Sequence, residues 1–86
     1  MPSLLDTIRG VVQAHGQMPV DVSGLADSAD LYQNGLTSHA SVNVMLALED
    51  SFDVEFPDAL LKRSTFQSLE AIAQALETLG VSPGAH

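Results

Sequence analysis

Apolar residues recur at helical spacing in three stretches of this chain, and segments rich in Pro, Gly, Ser, Asn and Asp separate them. That pattern commits the chain to packing amphipathic helices against one another. The first stretch sets Leu4, Leu5, Ile8, Val11 and Val12 along a helix from Ser3 to His15, with Ser3 as N-cap and Gly16 as the stop. Gly10, inside it, weakens the helix by up to about 1 kcal/mol relative to alanine and marks either a close helix contact or a tolerated surface position.

From Gln17 to Thr37 the period disappears, and Pro19, Ser23, Gly24, Asp27, Ser28, Asn34 and Gly35 read as turn formers in a long connection. Val20, Val22, Leu25, Leu31, Tyr32 and Leu36 are expected to pin this loop to the core, and Asp30-Leu31-Tyr32 to form a single helical turn before Asn34-Gly35. The second helix is expected from Ser38 to Ser51 or Phe52, with Val42, Met45, Leu46, Leu48, Glu49 and Phe52 spaced so that its apolar members favour one broad face. Pro57 fits the first turn of a short third helix over Asp58 to Lys62, with Leu60 and Leu61 reaching the core. Ser64-Thr65-Phe66-Gln67 matches a capping box, which predicts a last helix starting after Ser64 or Thr65 and running to Gly80 with Leu69, Ile72, Ala73, Leu76 and Leu79 inside. Residues 81–86 read as a frayed tail.

The 86 residues are enough for one small domain that buries about 60–65% of its unfolded surface. With three Phe, one Tyr and no Trp, aliphatic side chains must fill most of the core, joined by Met45, Phe52, Phe56 and Phe66. Eleven acidic against three basic residues leave a net charge of -8, which nucleic-acid phosphates would repel and basic protein surfaces would attract. The absence of cysteine rules out disulfides, thiolate metal sites and a cysteine nucleophile in the polypeptide, so any thiol has to be imported. His15, His39 and His86 are too scattered for a metal site. No 18 apolar residues run together and the N-terminus lacks the pattern of a secretory signal, so a cytoplasmic, monomeric protein without membrane attachment is expected.

The most informative residue is Ser38, in Asn34-Gly35-Leu36-Thr37-Ser38-His39-Ala40-Ser41-Val42, where loop becomes helix. A hydroxyl on the first turn lies near unpaired backbone N–H groups and the positive end of the helix dipole, a favourable place to hold a phosphodiester. With this serine at its head, the segment VNVMLALEDSFDVEFPD from Val42 to Asp58 resembles the acyl carrier protein family. The order of the elements resembles that family too: an all-α bundle of three long helices plus one short helix, with a long loop between helices one and two. The family signature is Asp-Ser-Leu, and Thr37 and His39 stand here in place of its first and last residues. The run Gly35 to Val42 looks most like the bacterial aminoacyl carrier proteins.

The resemblance implies that Ser38 carries 4′-phosphopantetheine, installed on Oγ by a phosphopantetheinyl transferase from coenzyme A. It also implies that an amino acid:carrier-protein ligase, similar to a truncated seryl-tRNA synthetase, loads an activated amino acid as a thioester, with glycine or another small one expected. Thr37, His39, Val42, Met45 and Glu49 become the candidate docking residues, and the acceptor enzyme downstream is left unnamed. The chain itself is then no enzyme. Other readings are an acyl or peptidyl carrier of fatty-acid, polyketide or nonribosomal peptide synthesis, and a non-enzymatic helical adaptor with Ser38 unmodified. Serine hydrolysis is disfavoured because His39, the adjacent base, does not face Ser38 on a helix.

Two neighbours of Ser38 have ordinary structural roles open to them. Thr37 fits an N-cap, and Ser41, the rival attachment site, fits a hydroxyl that either bonds backbone in the preceding turn or faces solvent. Glu49, Asp50, Asp53, Glu55 and Asp58 form either a solvated acidic face or a guide for a basic enzyme surface, and their spacing is not that of an EF-hand. Phe66 and Leu61 could border a groove for an arm, but a small polar amino acid has little apolar area to bury, so the cargo is expected to stay in solvent.

Overall fold

The computed structural model describes residues 4–81, which leaves Ser3, His86 and all of the expected tail except Val81 outside it; Val81 is no frayed residue, since its side chain is buried in the core and its N–H donates to the Leu76 carbonyl at 3.0 Å. Among the described residues the fold is all-helical, with α1 (Leu4–His15), α2 (Ser38–Phe52) and α3 (Leu69–Thr78) joined by segments containing tight 3-10 turns. No helix among these residues is long and apolar enough to cross a membrane.

α1 packs against both α2 and α3. It can do so because Leu4, Ile8 and Val12, four residues apart, are fully sequestered, with Leu5 and Val11 packed beside them. Gly10 lies on the outside with open space around it, so it marks no close helix contact.

α2 turns its stripe differently from the expected one. Ala40, Ser41, Val44, Leu48 and Phe52 face inward, Met45 is half-buried, and Val42 and Leu46 are 49% and 53% exposed. Apolar residues occupy nearly every side of this helix, so its sequence could not fix which stripe would be covered. Packing against α1 selected the row at positions 40, 44, 48 and 52. The helix ends at Asp53, in the left-handed conformation, and the Glu49 carboxylate reaches past that turn to accept the Phe56 N–H at 2.8 Å.

Two expectations for the C-terminal half need correction. In place of a short α-helix over 58–62 there is a 3-10 turn at Asp58–Leu60; Leu60 packs on the core and Leu61 is 47% exposed. The capping box at Ser64 does not form either, and Arg63–Phe66 is another 3-10 turn. A helix starting there would need the Gln67 carbonyl for the Ala71 N–H. That carbonyl instead accepts the Leu31 N–H at 2.7 Å, while Ala71 donates to the Ser68 hydroxyl at 3.0 Å. Ser68 is therefore the N-cap, and burial of Thr65 and Phe66, with Phe66 at 5.4 Å from Phe56, holds the turn in place. The inner face of α3 is otherwise as expected, with Leu69, Ile72, Ala73 and Leu76 buried, Leu79 packed alongside and Gly80 just beyond.

The long connection is pinned by side chains as well as by apolar burial. Val22, Leu31 and Leu36 are buried and Leu25 and Tyr32 pack on the core, but Val20, expected among them, is 37% exposed. The Arg9 guanidinium donates to the carbonyls of Val22 and Leu25, each at 2.7 Å, and to Asp27 at 2.5 Å; Gln13 accepts the Val22 N–H at 2.8 Å. Asp21 caps a small turn, and the hydroxyl and N–H of Ser23 hold its carboxylate below the usual range.

Asp30 caps the turn that follows, accepting the N–H groups of Tyr32 and Gln33, and Leu36 closes it onto the Leu31 carbonyl at 2.9 Å. Gly35 has φ of 112°, and a Cβ there would lie 2.3 Å from the Pro19 ring. Both the backbone sign and the close approach require glycine. Gly35→Ala is expected to cost roughly 1–3 kcal/mol, readable as a lower urea midpoint with an unchanged slope.

Candidate functional site

The turn ending at Leu36 delivers Thr37 to the start of α2 in extended conformation, φ −92° and ψ 161°. Its hydroxyl oxygen accepts the Ala40 N–H at 3.0 Å and its carbonyl accepts the Ser41 N–H at 2.9 Å, so the expected N-cap is formed. Ser38 is thereby fixed as the first residue of the helix, and it is exposed. Among the described residues no hydrogen bond occupies its Oγ, and the first-turn N–H groups of Ser38 and His39 have no protein partner.

Ser41 is differently placed. It is 9% exposed and its hydroxyl donates to the Ser38 carbonyl at 2.7 Å, the back-bonding expected of it. His39 is exposed on the outer side of the first turn.

Ser38 stands on the rim of an open cavity of about 290 Å³ whose walls include Tyr32, Ser41, Val42, Met45, Leu61 and Phe66. Lys62 and Arg63 complete the wall, and the Arg63 guanidinium lies 4.2 Å from the centre of the Tyr32 ring, a contact worth about 0.5–1 kcal/mol at an exposed site. The structure thus gathers Ser38, Val42 and Met45 around one groove, whereas Thr37, His39 and Glu49 are not among its walls. Leu61 and Phe66 border it as expected. Tyr32, Lys62 and Arg63 were missed from sequence, although two adjacent cations in so acidic a chain were a signal that could have found them.

Chemically, the arrangement offers a solvent-facing hydroxyl, donor groups on a helix start that has no acidic residue in its first turn, and cations beside an apolar trough. That donor set fits a phosphodiester with a partly apolar chain attached. Among the described residues no group of His, Asp or Glu could hold a metal ion.

The family model for the phosphopantetheine attachment site matches residues 6–76 of this chain. The chain is also 48% identical over 73 residues to an aminoacyl carrier protein of Agrobacterium fabrum, spanning 85% of this chain and 88% of the relative. It belongs to the phosphopantetheine-attachment family, among the aminoacyl carrier proteins. Its cofactor class is accordingly 4′-phosphopantetheine, and a carrier protein does not itself catalyse.

Solved relatives share the backbone of this carrier. The chain superimposes with a TM-score of 0.85 and 47% identity on the Agrobacterium tumefaciens carrier protein crystallised with an engineered Bradyrhizobium japonicum glycine:[carrier protein] ligase and ATP, over 87% of this chain and 97% of that one. A TM-score of 0.72 and 29% identity relate it to the glycylated carrier protein in complex with the Bradyrhizobium japonicum ligase, over 84% of this chain and 96% of that one.

Proposed function

We propose that Ser38 is the attachment residue and that this carrier holds glycine or another small amino acid as a thioester between enzymes. The observation that carries the assignment is the exposed, unbonded Ser38 hydroxyl at the first position of α2, beside two hydroxyls that are already engaged. In the loading step a partner phosphopantetheinyl transferase forms the Oγ–P bond and breaks the pyrophosphate bond of coenzyme A. The nucleotide half leaves and the transferase takes the hydroxyl proton. The bound group supplies the thiol that a chain without cysteine lacks.

The polypeptide's own part is presentation. The Thr37 cap, through its local bonds to the Ala40 and Ser41 N–H groups, keeps Ser38 at the helix start. The exposed Val42, half-buried Met45, His39 and Thr37 form the surface offered to partners, with Leu46 extending its apolar part by one turn. Glu49 contributes charge to the same helix while one of its oxygens is held by Phe56. A seryl-tRNA-synthetase-like ligase is the loading partner, and its basic surface is guided by the net charge of -8. The carrier works as a monomeric single domain in the cytoplasm. The similarity to carriers crystallised with a glycine:[carrier protein] ligase supports glycine as cargo.

Mixing the phosphopantetheinylated carrier with ATP, glycine and that ligase should add one glycyl group by intact mass, removable with hydroxylamine. Acceptance of fatty acids but of no amino acid, with the Agrobacterium carrier glycylated in parallel, would exclude the aminoacyl assignment.

A further inference from the structure

Asn34-Gly35, in the turn before α2, has no place in the chemistry of Ser38 and carries a reactivity of its own. An asparagine carboxamide can be attacked by the backbone nitrogen of the next residue, and the approach is least hindered when that residue is glycine, which has no Cβ. A bulkier follower is not open to this chain, because the φ of 112° at residue 35 and the Pro19 ring against it both demand glycine. The other asparagine, Asn43, lies inside α2 before the β-branched Val44, which crowds the same approach.

The turn occupies both reacting groups. The carboxamide is drawn back toward Asp30, whose carbonyl accepts its Nδ2–H at 2.8 Å, and the Gly35 N–H donates to the Tyr32 carbonyl at 3.2 Å. Around them the Asp30 carboxylate accepts the N–H groups of Tyr32 and Gln33, and the Leu36 N–H closes onto the Leu31 carbonyl. To react, Asn34 has to release Asp30 and swing its Cγ over the Gly35 nitrogen, which must itself leave Tyr32. Each movement breaks the turn, so reaction waits on local opening.

We propose that Asn34 is a latent modification site, kept as asparagine by the closed turn and converted when the loop opens. The Gly35 nitrogen bonds to Asn34 Cγ and gives up its proton, the Cγ–Nδ2 bond breaks, and ammonia departs with that proton. Water then opens the cyclic imide at either carbonyl and leaves aspartate or isoaspartate at position 34. The isoaspartyl product has an extra carbon in its main chain, and a carboxylate stands where the donor to the Asp30 carbonyl stood. The turn cannot re-form the same bonds, so one opening event leaves a permanently looser loop. None of this depends on what Ser38 carries.

The test incubates the apo carrier at one mildly alkaline pH, folded in buffer and unfolded in guanidinium chloride. Intact mass follows the exchange of an amide NH₂ for OH, and electron-transfer fragmentation locates it and separates isoaspartate from aspartate. Conversion at residue 34 is expected in denaturant and should be at least tenfold slower in buffer, equivalent to about 1.4 kcal/mol of turn-opening free energy. Asn34→Gln should abolish it. Asp30→Ala, which removes a cap worth about 1 kcal/mol, should speed conversion of the folded protein about fivefold. No conversion in denaturant overturns the site, and rates that differ by less than tenfold between buffer and denaturant overturn the guard. A folded Asp30→Ala protein that converts at the wild-type rate does so too; should that variant fail to fold, the two wild-type rates still decide.

Discussion

Ser38→Ala is expected to take up no phosphopantetheine from coenzyme A under conditions in which the wild-type chain is fully converted, a change from complete to none in the intact mass spectrum. The nearby hydroxyls cannot substitute. Ser41 is buried and its hydroxyl donates to the Ser38 carbonyl, and the Thr37 oxygen is occupied by the Ala40 N–H. Ser38 contributes little to the fold, since its side chain is exposed and unbonded, so the melting transition should move by no more than about 0.5 kcal/mol equivalent. A folded Ser38→Ala protein that still gained the arm would place the attachment elsewhere. Ser41→Ala is the matching control, which should load in full.

Arg9→Ala is expected to produce the largest loss of stability among exposed or half-exposed polar positions, about 2–3 kcal/mol. One planar guanidinium joins the middle of α1 to two loop carbonyls and to Asp27, whose own carbonyl accepts the Glu70 N–H at the start of α3. Its removal leaves two part-buried carbonyls without a charged donor and loosens the link between the loop and α3. For a chain with roughly 5–10 kcal/mol in total, that is a large fraction, and the midpoint should fall by about 10 °C or more at 4–8 °C per kcal/mol. Arg9→Lys should recover only part, because a single ammonium cannot span three acceptors. Asp27→Asn should cost less than about 1 kcal/mol, since that carboxylate is 47% exposed and the pair is screened. Equal losses for Arg9→Ala and Asp27→Asn would mean that the ion pair, and not the carbonyl bonds, holds the loop.

The two experiments separate chemistry from scaffold. Arg9→Ala that still folds at low temperature should accept the arm, because Ser38 lies on a helix start whose cap is local. If loading instead fell in step with Ser38→Ala while the helical spectrum was retained, the loop would have to present Ser38 directly to the transferase.

Much of the fold was legible from local chemistry. The spacing of Leu4, Ile8 and Val12, the stop at Gly16, the Thr37 cap and the bounds of α2 follow from short-range preferences that the tertiary structure left intact. Elsewhere long-range contacts won. Ser64 to Gln67 has the composition of a helix start, but the Gln67 carbonyl is claimed by Leu31, thirty-six residues earlier, and the helix begins at Ser68. Leu61 reads as a core residue and instead faces the groove, because the turn at Asp58–Leu60 spends its inward direction on Leu60.

The sequence by itself determined the helical class, the family and the position of Ser38 at the head of α2, since each depends on residues within a few positions of one another. Only the tertiary structure decided that Arg9 would staple the long loop and that Val44 rather than Val42 would be covered. It alone brought Tyr32, Met45 and the Lys62–Arg63 pair around the same serine. Those outcomes depend on which surfaces meet when three helices bury their shared apolar faces, and a pattern confined to one segment carries no record of its neighbours.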